Sequence, residues 1–193
     1  SIHKFDLENM LKQSINKNIK KFIYFSSIHV FKPSKKKYYS NDKPNNNSPY
    51  AIAHKLSEKI LNKYQKKHKN LSIVRLSNCF GVTNQMNKFT EKLFAHKLTY
   101  SIVNNKKFEL LSSKDKKIDL CPLSVFNELT YSLIFFQRLQ KFYNLGINSN
   151  FNLNYIINLV LKRINSSFNH KKFNVKFGSN KKKQLSLNIN YNL

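Results

Sequence analysis

The sequence predicts an α/β fold: a short parallel sheet with helices on its faces. Three observations carry this. Three nearly all-apolar runs, "KKFIYFSS", "LSIVRLSNCFG" and "KFYNLGI", suit strands buried on both faces, as in a parallel sheet. The segments between them place apolar residues at helical spacing. The two kinds of segment alternate, and no internal repeat is visible. With 193 residues and 40% apolar composition, the chain is large enough for one domain with a substantial core.

In chain order, residues 3–17 carry Leu7, Met10, Leu11 and Ile15 at helical spacing, which gives one buried face. "KKFIYFSS" is the first strand and ends in two serines. Residues 32–48 are rich in lysine and asparagine and contain Pro33 and Pro44, so they form a loop. A helix runs from 49 to about 67: Ser48 caps it, Pro49 fits its first turn, and Ala53, Leu56, Ile60 and Tyr64 form its apolar stripe. "LSIVRLSNCFG" is the second strand, turning at Gly81. Residues 86–100 are helical, and "KFELL" and "KKIDLCPL" are short strands. Residues 124–137 are a helix with Val125, Leu129, Leu133 and Phe136 on one side. "KFYNLGI" is the third apolar strand, and 152–164 are helical. The last dozen residues show no clear element and are expected to fray.

The formal net charge is +26, which ordinarily points to nucleic acid or an anionic membrane. Only three of the 35 basic residues are arginine, at 75, 138 and 163. The 32 lysines and 28 asparagines together reflect a compositional drift toward A-rich codons. A phosphate-binding surface favours arginine forks, so nucleic acid is not the expected partner. No apolar run reaches the roughly 18–20 residues of a membrane helix, and "SIHKFDLENM" lacks the pattern of a signal peptide. Cys79 and Cys121 lie far apart in the sequence and outside any metal-ligand spacing. They read as reduced core residues of a cytoplasmic protein, with no metal site.

Several segments, in order, resemble the extended short-chain dehydrogenase/reductase family, which includes the NAD-dependent sugar-nucleotide epimerases and dehydratases. "KKFIYFSSIHVF" is similar to its strand and serine-bearing loop, and "SPYAIAHKLSEKIL" to its catalytic tyrosine helix. "IVRLSNCFG" resembles R-x-x-N-x-[FY]-G, and "IDLCPLSVFNEL" resembles R-D-F-V-x-V-x-D-V. "FYNLGINSNFNLNYIINLV" resembles a Y-N-[IL]-G strand, loop and helix. The resemblance covers about residues 1–175. It implies a partial Rossmann-like parallel sheet with a small C-terminal substrate lobe. Residues 1–82 and 140–150 would form the C-terminal half of the Rossmann-like domain, and 83–139 with 151–180 the substrate-binding lobe. Residues 181–193 would be a frayed tail. The family opens with a G-x-x-G-x-x-G turn that lets backbone approach a pyrophosphate at a helix N-terminus. The three glycines here, at 81, 146 and 178, cannot supply it. The expectation is therefore a truncated family member, lacking four strands and the glycine-rich half.

The resemblance implies the following chemistry. NAD or NADP accepts hydride from a nucleotide-linked sugar, a tyrosine takes the hydroxyl proton, and a serine bonds the same oxygen. A lysine four residues after the tyrosine binds the nicotinamide ribose and favours the phenolate. Tyr50 matches the tyrosine, Ser27 its hydroxyl partner and Ser26 the small neighbour at the cofactor. Asn78 matches the asparagine near substrate and nicotinamide, and Asp119 the aspartate of the substrate segment. Position 54 is histidine, with the lysine one place late at 55. His54 thus occupies the lysine's helical position, while Lys55 is rotated a further ~100°. Either could act as a weak surrogate. The bland readings stand beside these: Tyr50 as an amphipathic residue at a helix start, the serines as a strand-to-loop cap, His54 as structural.

Other departures bear on the reaction. Ile28 and His29 stand where dehydratases carry an Asp-Glu pair, which favours an epimerase- or reductase-like reaction. Ile118 replaces an arginine that contacts the sugar-nucleotide phosphate, and Val125 a later aspartate. Arg75 is expected to pair with a carboxylate near its strand end. Expected partners are a nucleotide-sugar substrate, a separately encoded nucleotide-binding half and a second copy in a homodimer, with no membrane. Two alternatives remain. One is a non-catalytic degenerate fragment serving as a binding module. The other is a basic nucleic-acid-binding protein, whose 10 tyrosines and 16 phenylalanines could stack on bases. Most of those aromatics fall on predicted core stripes.

Overall fold

A computed structural model describes residues 4–81, 93–104, 106–110, 112–149, 151–167, 175–177 and 186–192. Three parallel strands form its central sheet: β1 (Phe22–Ser27), β2 (Leu71–Leu76) and β7 (Phe142–Leu145), in the order β1-β2-β7. Phe22 faces Leu71 at one end of the first pair and Ser27 faces Leu76 at the other. Leu76 in turn faces Leu145. The carboxyl ends of all three strands therefore lie along one edge of the sheet. Among the described residues, β1 pairs on one side only.

Strand side chains alternate between faces, and so does the core. On one face, Ile73 and Tyr24 meet Leu7 and Leu11 of α1 (Lys4–Asn16) and Ile60 and Leu61 of α2 (Pro49–Tyr64). On the other, Val74, Tyr143 and Leu145 meet Leu133 and Leu129 of α4 (Leu123–Phe135). The Lys21 ammonium donates to the carbonyls of Ile134 and Phe136 and so satisfies the open C-terminal end of α4. Past α1, Asn18 takes the left-handed conformation at φ 51°, which asparagine tolerates better than most residues.

The remaining elements lie beyond the carboxyl ends of the sheet. β3 (Asn78–Phe80) pairs in parallel with β6 (Leu120–Pro122), and β5 (Lys117–Ile118) pairs antiparallel with β8 (Phe151–Asn152). β4 (Phe108–Leu110) pairs with β9 (Val175–Phe177). Leu98 and Ile102 of α3 (Phe94–Val103) pack against Ile157 and Ile164 of α5 (Leu153–Ser167) in a second apolar cluster around Phe108. Among the described residues, no helix is long and apolar enough to cross a membrane.

Several expectations need correction. The stripe of α2 is partly the predicted one: Ile60 and Tyr64 join the core and Ala53 is half-buried. Leu56 is 58% exposed, and Ala51, Glu58, Ile60 and Leu61 face inward. The buried stripe includes a carboxylate, which a hydropathy pattern reads as surface. Met10 is exposed, and Phe136 lies past the end of α4 with its ring exposed. α3 begins at Phe94, and the predicted helical residues 86–92 lie outside the described residues. Within the expected loose tail, residues 186–192 are fastened rather than frayed. Ile189 bridges Tyr38 and is buried with Ile28, Val30 and Phe31. Backbone bonds run from Tyr38 N to Asn188 O at 2.7 Å and from Asn190 N to Tyr38 O at 2.7 Å.

Candidate active site

The sheet's carboxyl edge opens into a cavity of about 740 Å3. That is within the ~300–1,000 Å3 typical of small-molecule sites. Ser26 and Ser27 enter it from β1, Ser77 and Asn78 from the β2–β3 junction, Tyr50 from the start of α2, and Asp119 from the β5–β6 junction. Open α/β sheets bind ligands in this crevice, where successive strands deliver loops of different direction.

Tyr50 owes its place to a well-formed helix start. The Ser48 hydroxyl accepts the Ala51 N–H at 3.3 Å, and Pro49 occupies the first turn. Tyr50 sits one residue inside and is 57% exposed. Its ring meets the edge of His54, with centroids 4.6 Å apart, and the ring of His29 at 6.5 Å. The Ser27 oxygen accepts the His29 N–H at 3.2 Å and starts the single helical turn 28–30. That is the capping reading of the serine, and it leaves the Ser27 O–H available as a donor.

Asn78 is oriented at both ends. Its Nδ2 donates to the Asp119 carbonyl at 3.0 Å, so Oδ1 faces His29 Nε2, also at 3.0 Å. A carbonyl can only accept, which fixes the amide, and His29 Nε2 must then be the donor.

The four other candidates divide: Ser26 and Asp119 line the cavity, and Lys55 and His54 do not. Lys55 gives its ammonium to the Asn46 carbonyl and the Asn47 side chain, both at 3.2 Å, and does not line the cavity. The extra helical rotation aims it at the preceding loop. His54 abuts Tyr50 but does not line the cavity either. Burial is the main reason its pKa falls below the ordinary 6.5, with His29 adding to the fall and Glu58 opposing it. The lowered pKa favours the uncharged imidazole at neutral pH. The Ser26 hydroxyl is committed to Glu58 Oε1 at 2.7 Å. Asp119 is buried at the cavity wall, and its carboxylate accepts Ser149 N at 2.7 Å, Ser149 Oγ at 2.9 Å and Ile147 N at 3.3 Å. It thereby ties down the loop after β7, and a Cβ at Gly146 would strike Asp119 and the Tyr191 ring.

The pairing expected for Arg75 is present. Its guanidinium holds Glu58 through two bonds, Nε–Oε1 at 3.0 Å and Nη2–Oε2 at 2.8 Å, between the rings of Phe31 and Phe142. Sequence reasoning did not single out Glu58. The available signal was a carboxylate on a helix in a chain with only nine acidic residues. It also passed over Tyr191, which reaches the cavity from a segment too short and polar to read.

The fold compares closely with known structures. The chain superposes on UDP-N-acetylglucosamine 4-epimerase from Methanobrevibacter ruminantium with a TM-score of 0.81 and 15% identity, over 98% of this chain and 60% of that one. For dTDP-glucose 4,6-dehydratase from Bacillus anthracis, solved with NAD, the TM-score is 0.78 at 14% identity, over 96% and 57%. For UDP-glucose 4-epimerase from Thermotoga maritima it is 0.76 at 16% identity, over 97% and 60%. The chain thus spans less than two thirds of the length of each. No curated protein sequence matches it significantly. The model of one family matches residues 7–122, a span that holds β1, the Tyr50 helix, β2 and the Cys79–Cys121 register. On that match the chain belongs to the NAD dependent epimerase/dehydratase family.

Proposed function

We propose that this chain carries the sugar-processing site of an NAD-dependent, epimerase- or reductase-like enzyme acting on a nucleotide-linked sugar. The observation that carries this reading is the convergence of Tyr50, Ser27 and Asn78 on one cavity at the sheet's carboxyl edge. Tyr50 takes the proton from a sugar hydroxyl, Ser27 donates its O–H to the same oxygen, and Asn78, held by His29 and Asp119, orients the ring. These residues fit the nicotinamide end of the cofactor. The glycine turn that would cradle its pyrophosphate is not among these 193 residues. When bound, NAD supplies the hydride acceptor.

Proton transfer is expected to be slow in this chain. A phenol with an ordinary pKa near 10 needs a cation nearby to ionise at pH 7. The lowered pKa of His54 favours its neutral form, and the Lys55 ammonium is held by the loop. His54→Lys is expected to raise turnover roughly tenfold or more, since an opposite charge within ~4–6 Å shifts a pKa by about 1–3. Steady-state rates at pH 7 check this, and an unchanged rate would count against Tyr50 as the base.

The outer edge of β1, unpaired among the described residues, offers a place for a nucleotide-binding half to add a strand. The free thiols fit a reducing cytoplasm. The first experiment is a titration with NADH followed by nicotinamide fluorescence. Saturable binding at micromolar levels supports a working cofactor site. A folded chain that fails to bind supports instead the non-catalytic module, or dependence on the missing half.

A further inference from the structure

Cys79 and Cys121, far apart in sequence, are brought side by side. They are direct register partners in the parallel pair β3–β6. Strands in a ladder lie about 4.8 Å apart, and directly opposed residues project to the same face. Disulfides span Cα separations of about 4.4–6.8 Å, so this register suits one. Each thiol lies close enough to the other to influence its ionisation, and the Cys121 thiol points at the Pro122 carbonyl at 3.7 Å. Cys79 is half-buried and lines the cavity, whereas Cys121 is 0% exposed behind it, in the core beneath α4. Cys79 thus belongs both to the cavity lining and to the edge of the core cluster that holds Cys121. The proposed reaction at Tyr50 uses neither thiol.

We infer that Cys79 and Cys121 form a modification site, where a peroxide-class oxidant entering the cavity produces a cross-strand disulfide. The Cys79 sulfur attacks one peroxide oxygen. The O–O bond breaks, leaving Cys79 as a sulfenic acid and releasing one water. The Cys121 sulfur then attacks the Cys79 sulfur. The S–S bond forms, the S–OH bond breaks and a second water leaves. The two thiols together lose two electrons and two protons, and the peroxide is reduced. The product locks β3 to β6 beside Asn78, whose amide already bridges these strands at Asp119.

The groups around the pair set its rate. Burial pushes the Cys79 thiol up to about 12, and the neighbouring Cys121 and Asp119 add to this. Burial and Asp119 also raise Cys121, while the Cys79 thiol opposes the rise. Tyr191, raised by burial and by Asp119, stays protonated and adds no charge. Thiolate is therefore scarce at neutral pH. Oxidation is slow there and rises about tenfold per pH unit, because the thiolate is the nucleophile.

The chain has only two cysteines, so the products are unambiguous. The folded protein is treated with hydrogen peroxide from pH 7 to pH 9, then denatured, alkylated and weighed. The expected product has lost both thiols together, is lighter by about 2 Da, stays monomeric and reverts with dithiothreitol. In Cys79→Ser, the buried Cys121 should remain a thiol under the same treatment. In Cys121→Ser, Cys79 should gain oxygen with no disulfide. If the second variant does not fold, the first decides alone. Oxidation of Cys79 to a species about 32 Da heavier with Cys121 still alkylatable, a linked dimer, or two intact thiols at pH 9 would each overturn the inference. None of these readouts depends on NAD or a sugar, so the result stands apart from the proposed function.

Discussion

Glu58→Gln is expected to destabilise the fold by about 3–5 kcal/mol, the usual cost of breaking a buried ion pair from one side. Glu58 is 2% exposed and Arg75 is 1% exposed. The carboxylate accepts two guanidinium bonds and the Ser26 hydroxyl. Without the carboxylate, the guanidinium stays buried between Phe31 and Phe142 with its charge uncompensated, bonded only to neutral oxygens: the carbonyls of Ser40 and Asp42 and the remaining amide oxygen at position 58. Urea unfolding monitored by circular dichroism measures the loss. A companion double variant, Glu58→Gln with Arg75→Met, should recover part of it, because it leaves no unpaired charge. A loss below about 1 kcal/mol in the single variant would mean that water reaches the pair. The effect should extend to the cavity, since Glu58 also holds Ser26 at the end of β1.

Tyr50→Phe should lower turnover by roughly 10²–10⁴-fold, the range lost with a general base. Its effect on stability should be small: the ring is 57% exposed, and phenylalanine keeps its edge contact with His54. The two readouts together separate a chemical role from a structural one. An unchanged melting temperature with lost hydride transfer, followed as nicotinamide absorbance, supports Tyr50 as base. Undiminished turnover in the folded variant would remove the phenol from the mechanism. The comparison with Glu58→Gln is informative because that variant should show the reverse pattern, lost stability first and lost activity as a consequence.

Much of the fold was legible because its signals are local. The three apolar runs became the three central strands, and the Ser48–Pro49 start placed Tyr50 at the first turn of α2. The errors arise where long-range partners decide. Glu58 reads as a surface residue until Arg75 arrives from the neighbouring strand. Cys79 and Cys121 read as separate until β3 and β6 pair. Lys55 reads as a surrogate cation until the loop carbonyl at Asn46 claims it. The loop partners of Asp119 at 147 and 149 are equally invisible until that loop closes on its carboxylate. Position along one helix or strand is written in the sequence spacing, whereas which side chain a charge will meet depends on the packed whole.

The closure of residues 186–192 over the loop at 34–38 has a consequence for synthesis. Ser34 N bonds Ser186 O, and Asn192 N bonds Asn144 O. The polypeptide held in place at Tyr38 must wait for Ile189 to be made. At about 5–20 residues per second, this delay is on the order of 10–30 s. Through that interval Phe31 and Tyr38 lack their apolar cover, and the cavity lacks the wall given by Leu187 and Tyr191. Ribosome-bound chains halted before residue 186 should therefore be open to proteolysis within 31–46, a window that closes only when the late segment emerges.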